Sequence, residues 1–220
     1  MLEADRREIY RYLGLRGREP DAGTAQTVEE AVAALESAVE PKQVSRRFPL
    51  KRDGDGGLDI EGLRVQSTAL SRNLSGCDEV YLMAATLGLG PDRLIARAQA
   101  SGAMHLAVAL QAASAAMIEA WCDEVNDCLR REAAGRGKVL RPRFSPGYGD
   151  FSLDAQVGIF RLLGVQKTIG VTLTDSLLML PTKSVTAVIG IGDEAVPCPT
   201  KCAACDRTDC AFRDERRDTP

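Results

Sequence analysis

Apolar positions along the chain fall into two patterns, helical spacing in long stretches and short continuous runs between them. Residues 3–14 read as a first helix, with Ile9, Tyr12 and Leu13 on one face; Gly14 and Gly17 end it, and Pro20 bars its continuation. A second helix is expected after Thr27, because Thr27 and Glu30 have capping-box spacing and Val28, Val32, Leu35 and Val39 share a face. Residues 43–51 and 62–67 read as short strands around a Gly/Asp turn, and 80–85 as a continuously apolar strand. Pro91 suits the first turn of another helix. Residues 103–133 carry the longest helical pattern, alanine-rich, with Met117, Trp121 and Val125 on one stripe. Val139-Leu140 reads as a strand, Ser152 as the cap of a helix carrying Ile159, Leu162 and Leu163, and 177–180 with 185–191 as antiparallel strands joined through Pro181-Thr182-Lys183. The pattern predicts an α+β domain over 1–192, with long helices packed on a mostly antiparallel sheet, and a Cys-rich tail over 193–220.

Composition narrows the function classes. With 220 residues, 45% hydrophobic and 27% charged, the chain has the make-up of a soluble globular protein. A net charge of −3 gives no footprint for nucleic acid or an anionic membrane. No apolar run approaches the roughly 20 residues that span a bilayer, and the first residues lack a signal-peptide pattern, so a cytoplasmic location is expected. Three of the seven cysteines, Cys77, Cys122 and Cys128, are scattered. Cys198, Cys202, Cys205 and Cys210 cluster, which in a reducing compartment favours a metal over disulfides.

Several chemistries can be set aside. His105 is the only histidine and has no nucleophile motif around it, which argues against a Ser-His-Asp or Cys-His system. Gly137-Lys138 lacks the rest of a phosphate loop, and Gly88-Leu89-Gly90 is followed by Arg93 rather than a third fingerprint glycine. Asp53-Gly54-Asp55-Gly56-Gly57 has Leu58 where a calcium loop needs glycine and Arg64 where it needs glutamate, so it reads as a hairpin or loop. What remains is Arg143-Phe144-Ser145-Pro146-Gly147-Tyr148. Arginine grips a carboxylate through paired hydrogen bonds, Pro-Gly lets a backbone approach a ligand, and tyrosine offers a flat face with a polar tip. Together they suit a small molecule bearing a carboxylate and an aromatic group.

The segment heads an ordered series: Arg143 to Asp150, then Ile159-Phe160-Arg161-Leu162-Leu163, then Ile169 to Ser176, then Met179-Leu180-Pro181-Thr182-Lys183-Ser184-Val185. Ala84 to Gly88 and Ile118 to Asp123 precede it. The series resembles the reactivation (activation) domain of cobalamin-dependent methionine synthase, strongly over 75–192. That family has arginine, three residues and Gly-Tyr, then Leu-Thr-Glu-Ser, then Met-x-Pro-x-x-Ser-Val. The resemblance implies a bent sheet and a site for S-adenosylmethionine, whose methyl group passes to the reduced cobalt of cobalamin. It implies that Arg143 holds the ligand carboxylate and Glu119 a cationic part, that Ser145 and Gly147 give backbone contacts, and that Tyr148 lies near the methyl. No catalytic acid or base is implied, since cobalt is the nucleophile. Thr174, Asp175 and Ser176 stay open between a strand-end cap and a cofactor-facing surface, with Asp175 standing where the family has glutamate.

Two departures accompany the likeness. The four-cysteine tail replaces a tyrosine-bearing region of the family, and no tyrosine follows Tyr148. An Asp-x-His-x-x-Gly cobalamin motif is lacking, so the resemblance implies a separate module whose cobalamin arrives on a partner methionine synthase or corrinoid protein. A low-potential electron would come from a donor such as flavodoxin or ferredoxin. Four thiolates within the tail could complete a zinc or an iron–sulfur site, and the spacing leaves both open. The alternatives are a corrinoid-docking or electron-transfer factor without methyl transfer, and a metal-stabilised scaffold with a vestigial pocket.

Overall fold

The computed structural model describes residues 2, 4–15, 18–53 and 56–193. Cys198, Cys202, Cys205 and Cys210 lie outside the described residues.

The chain opens with helix α1 (Arg6–Tyr12), capped by the Asp5 carboxylate, which accepts from Arg7 N at 2.8 Å. Helix α2 (Ala22–Glu36) starts earlier than the Thr27 box suggested. Asp21, immediately after Pro20, accepts from Thr24 N at 2.8 Å, and Thr27 instead donates its hydroxyl to Gly23 O at 2.9 Å within the helix. An aspartate able to reach a free N–H near the helix start nucleates the helix before Thr27 can.

Strand β1 (Lys42–Pro49) pairs antiparallel with the later β5 (Cys77–Thr86), not with residues 62–67. Residues 62–67 instead contribute β4 (Leu63–Val65) to a small meander with β2 (Lys51–Arg52) and β3 (Leu58–Ile60). Between β2 and β3, Asp53 N donates to Gly57 O at 3.0 Å. After α3 (Thr68–Asn73), β5 and α4 (Gly90–Ala100) comes α5 (Met104–Ala134), whose 31 residues span about 46 Å. Then follow β6 (Val139–Leu140), α6 (Ala155–Leu163), α7 (Val165–Ile169), β7 (Thr172–Leu173), β8 (Met179–Leu180) and β9 (Ser184–Gly192). Ser152 sits before α6, with Asp154 at the cap position and its N–H donating to Ser152 Oγ at 3.2 Å.

The main sheet runs β1-β5-β9-β6, antiparallel throughout. The expected hairpin across Pro181 does not form: β8 pairs with β7 in a separate ribbon, and β9 lies between β5 and β6. β9 is almost wholly buried and so belongs inside a sheet, while β8 is two partly exposed residues at the surface.

Both faces of this sheet are covered, which explains the continuous apolar run in β5. Tyr81, Met83 and Ala85 face α1, α2, α4 and α5, joining Ile9, Val32, Leu35, Ile95, Met117 and Ile189. Val80, Leu82 and Ala84 face the other way, against the meander, α3, α6 and α7, with Leu58, Ile60, Leu70, Ile159 and Val188. The alanines of α5 (Ala107, Ala109, Ala112, Ala113 and Ala116) are buried among the helices, where only small side chains permit close packing. No helix among the described residues is long and apolar enough to cross a membrane.

Candidate functional site

The β6 edge carries Arg143 to its position through a change of register. Leu140 pairs with Ile191, yet Phe144 pairs with Val188, so one extra residue is inserted around Pro142. An insertion of this kind re-aims the side chains that follow it. Arg141 and Phe144 therefore both face the second core, although their spacing would put them on opposite sides. Arg141 is 5% exposed and donates from Nη2 to Ser75 O at 2.9 Å. It lies over Gly190, where a Cβ would come within 2.9 Å of its Cγ. Arg143 is left facing α5.

There it meets two carboxylates. Nη2 donates to Glu119 Oε2 at 3.1 Å, and Nη1 lies 2.8 Å from Asp123 Oδ1, an ion-pair distance whose angle falls short of a hydrogen bond. Glu119 and Asp123 are four residues apart on α5, so one helix face presents both. The arginine side chain is 10% exposed, and the acids are 48% and 57% exposed. A largely covered guanidinium thus sits against two solvent-facing carboxylates. Tyr12 of α1 stands near this cluster: burial first, and the Glu119 charge second, push its hydroxyl pKa up. The Arg11 guanidinium covers the Tyr12 ring, 4.7 Å from its centre.

The loop after Arg143 is braced at both ends. Phe144 and the buried Phe151 pack with ring centres 6.2 Å apart. Between them, Gly147 N donates to Phe151 O at 2.7 Å, Tyr148 N to Ser145 O at 3.3 Å and Phe151 N to Tyr148 O at 3.0 Å. Gly147 adopts φ +91° with Leu153 Cδ1 3.0 Å from where a Cβ would stand, so the turn needs glycine. Its N–H is spent inside the turn, which leaves its carbonyl for any ligand. Tyr148 projects from the tip, 64% exposed.

The structure thus brings Glu119 and Arg143 into contact, and it sets Ser145, Gly147 and Tyr148 on the turn that follows. Asp123 and Tyr12 are the neighbours that sequence reading did not single out; the i,i+4 acid spacing on α5 was the available signal for Asp123. Asp150 is committed elsewhere, accepting from Ser67 Oγ, Thr68 N and Ala69 N at the start of α3. Thr174, Asp175 and Ser176 belong to the β7–β8 turn, where Leu178 N donates to Thr174 Oγ1 at 3.0 Å. His105, near the start of α5, lines a shallow apolar groove with Leu13, Val28, Met104 and Val108. No group of three or more metal-ligating side chains occurs among the described residues.

Fold and site together define an α+β domain with a sheet covered on both faces and an acid–arginine cluster at its β6 edge. Residues 70–198, more than half of the chain, match the family model for the vitamin B12 dependent methionine synthase, activation domain, and the chain belongs to that family. The match begins within α3 and takes in Glu119, Arg143 and Tyr148. The fold is also similar to the crystal structure of the MetH reactivation domain bound to AdoHcy, with TM-score 0.60 and 20% identity, covering 83% of this chain and 70% of that one. No curated protein is a significant match.

Proposed function

We propose that this chain binds S-adenosylmethionine at the Glu119–Arg143 cluster and supports reductive methylation of cob(II)alamin carried by a separate methionine synthase or related corrinoid methyltransferase. The observation that carries this reading is the largely covered Arg143 held against two exposed carboxylates, at a loop whose sequence resembles the family's arginine and Gly-Tyr motif and lies within the matched residues. The ligand's amino-acid end complements the cluster. Its carboxylate fits the N–H donors of Arg143, and its ammonium and sulfonium fit Glu119 and Asp123. Tyr148, on the turn tip, supplies a face toward the nucleoside or the methyl. The relative solved with AdoHcy holds the demethylated form of the same ligand.

In the proposed reaction one electron and one methyl group reach the partner's cobalt, the sulfonium C–S bond breaks, and the bond's electron pair stays on sulfur as the neutral thioether. The protein's share is to fix the methyl in line with its acceptor and to exclude competing geometries, a task that needs no proton carrier. The electron would come from a flavodoxin- or ferredoxin-type donor. The thiolate-rich tail, Cys198, Cys202, Cys205 and Cys210, would hold zinc or an iron–sulfur cluster.

Calorimetric titration of the full chain with S-adenosylmethionine tests the site. Saturable binding that weakens at least tenfold in Arg143→Ala supports it, because a charge-assisted bidentate contact is lost. Undiminished binding in that variant would remove Arg143 from the site. Formation of methylcobalamin from cob(II)alamin-loaded partner, reductant and ligand tests the reaction itself.

A further inference from the structure

Resting on the proposed S-adenosylmethionine site, we infer that Asp123 sets ligand specificity: with Glu119 it makes the acid–arginine cluster favour the cationic sulfonium over the neutral thioether left after methyl transfer. One guanidinium is answered twice here, by Glu119 Oε2 at 3.1 Å from Nη2 and by Asp123 Oδ1 at 2.8 Å from Nη1. The cluster therefore carries one negative charge more than its arginine balances. The amino-acid end of S-adenosylmethionine carries a carboxylate, an ammonium and a sulfonium, a net positive charge. Loss of the methyl converts the sulfonium to a thioether and leaves that end neutral. Ligand and cluster neutralise each other before the transfer and not after it.

Position makes Asp123 the second carboxylate rather than a bystander. It stands one helical turn beyond Glu119 on the same rigid helix, so the two acids keep a fixed separation. Arg143 is not a solvated surface partner, since nine-tenths of its side chain is covered and Nη1 is shut off from solvent. Nη1 makes no hydrogen bond to Asp123 despite the short distance, so charge rather than a hydrogen bond couples the two groups, and the exposed Asp123 carboxylate stays available to the ligand's positive end. Asp123 is itself 57% exposed, so solvent screens the preference. A unit charge at such range in a half-exposed site is worth about three- to tenfold in relative affinity.

The test is calorimetric titration of the full chain at low ionic strength with S-adenosylmethionine and with S-adenosylhomocysteine, for the parent chain, Asp123→Asn and Asp123→Glu. The expected result is a parent preference for the sulfonium that falls about three- to tenfold in Asp123→Asn and returns in Asp123→Glu. A ratio unchanged in Asp123→Asn, with both ligands bound, overturns the role of Asp123 and leaves the site standing. Failure of both ligands to bind the parent chain, or equal binding to Arg143→Ala, overturns the site and this inference together. If Asp123→Asn does not fold, the parent ratio is measured against salt. A decline toward unity supports the charge mechanism, and a salt-independent ratio removes it.

Discussion

Ser67 donates its hydroxyl to the Asp150 carboxylate at 2.6 Å, joining the start of α3 to the end of the Arg143 loop across 83 positions of sequence. The same carboxylate accepts from Thr68 N at 2.7 Å and Ala69 N at 3.1 Å. Asp150 therefore ties the loop that carries Tyr148 to the second core. These bonds, Ser67 first and the two backbone groups next, hold its pKa down to about 2. A depressed carboxylate stabilises the fold above its unfolded pKa of 3.8 and loses that contribution as pH falls through the folded value. Acid titration of thermal stability should show a component lost between pH 4 and 2 that is missing in Asp150→Ala. That variant should also melt a few degrees lower at neutral pH, as expected when a helix start loses its cap.

Tyr81 on β5 donates to Glu132 Oε1 on α5 at 2.7 Å, and its pKa is pushed up to about 12 by burial first, then by the hydrogen bond and charge of Glu132. An acid with a raised folded pKa favours the folded state up to its unfolded value, here 10.0, and that advantage disappears as pH climbs to about 12. Spectrophotometric titration of the four tyrosines should show one ionising about two pH units late. Tyr81→Phe should remove that late step and leave the others in place.

Much of this fold was legible because burial imposes simple periods. The 103–133 pattern became α5 within a residue of each end, and the apolar run 80–85 became the centre of a strand buried on both faces. Pairing was less legible. Nothing local told β8 to join β7 rather than β9, because strand partners are chosen by which edges remain to be covered. The start of α2 was misplaced because two capping signals competed and Asp21 lay closer to the bend. At the site, Arg143 and Glu119 could be named from the ordered motifs. For Asp123 the i,i+4 acid spacing marked only a helix face, since its contact depends on the extra residue near Pro142 that turns Arg143 toward α5.

Gly147 offers a test of the loop apart from charge. Alanine there must hold φ +91° and stand 3.0 Å from Leu153 Cδ1, which costs about 1–2 kcal/mol or forces the turn open. Gly147→Ala should lower stability by that amount in chemical denaturation. It should also weaken S-adenosylmethionine binding by moving Tyr148. Full affinity in a destabilised variant would show that the turn positions nothing the ligand uses.

Gly190 tests the edge that sets Arg143. A Cβ at this position in β9 would come within 2.7 Å of Cys77 Sγ, 2.8 Å of Leu74 Cδ2 and 2.9 Å of Arg141 Cγ. Cys77, Leu74 and Arg141 are all buried and none can move away freely, so part of the strain falls on the arginine stem and on the edge that carries it. Gly190→Ala should cost about 1–3 kcal/mol of stability through overpacking. Because Arg141 N donates to Gly190 O at 2.9 Å and Arg143 follows two residues later, the displacement should reach the Glu119–Arg143 contact. The expected outcome is a lowered denaturation midpoint together with weaker S-adenosylmethionine binding. Replacing Arg141 with alanine in the same chain should relieve the clash at Cγ and restore part of the lost stability, and a double variant no more stable than Gly190→Ala would show that the strain lies on Cys77 and Leu74 alone.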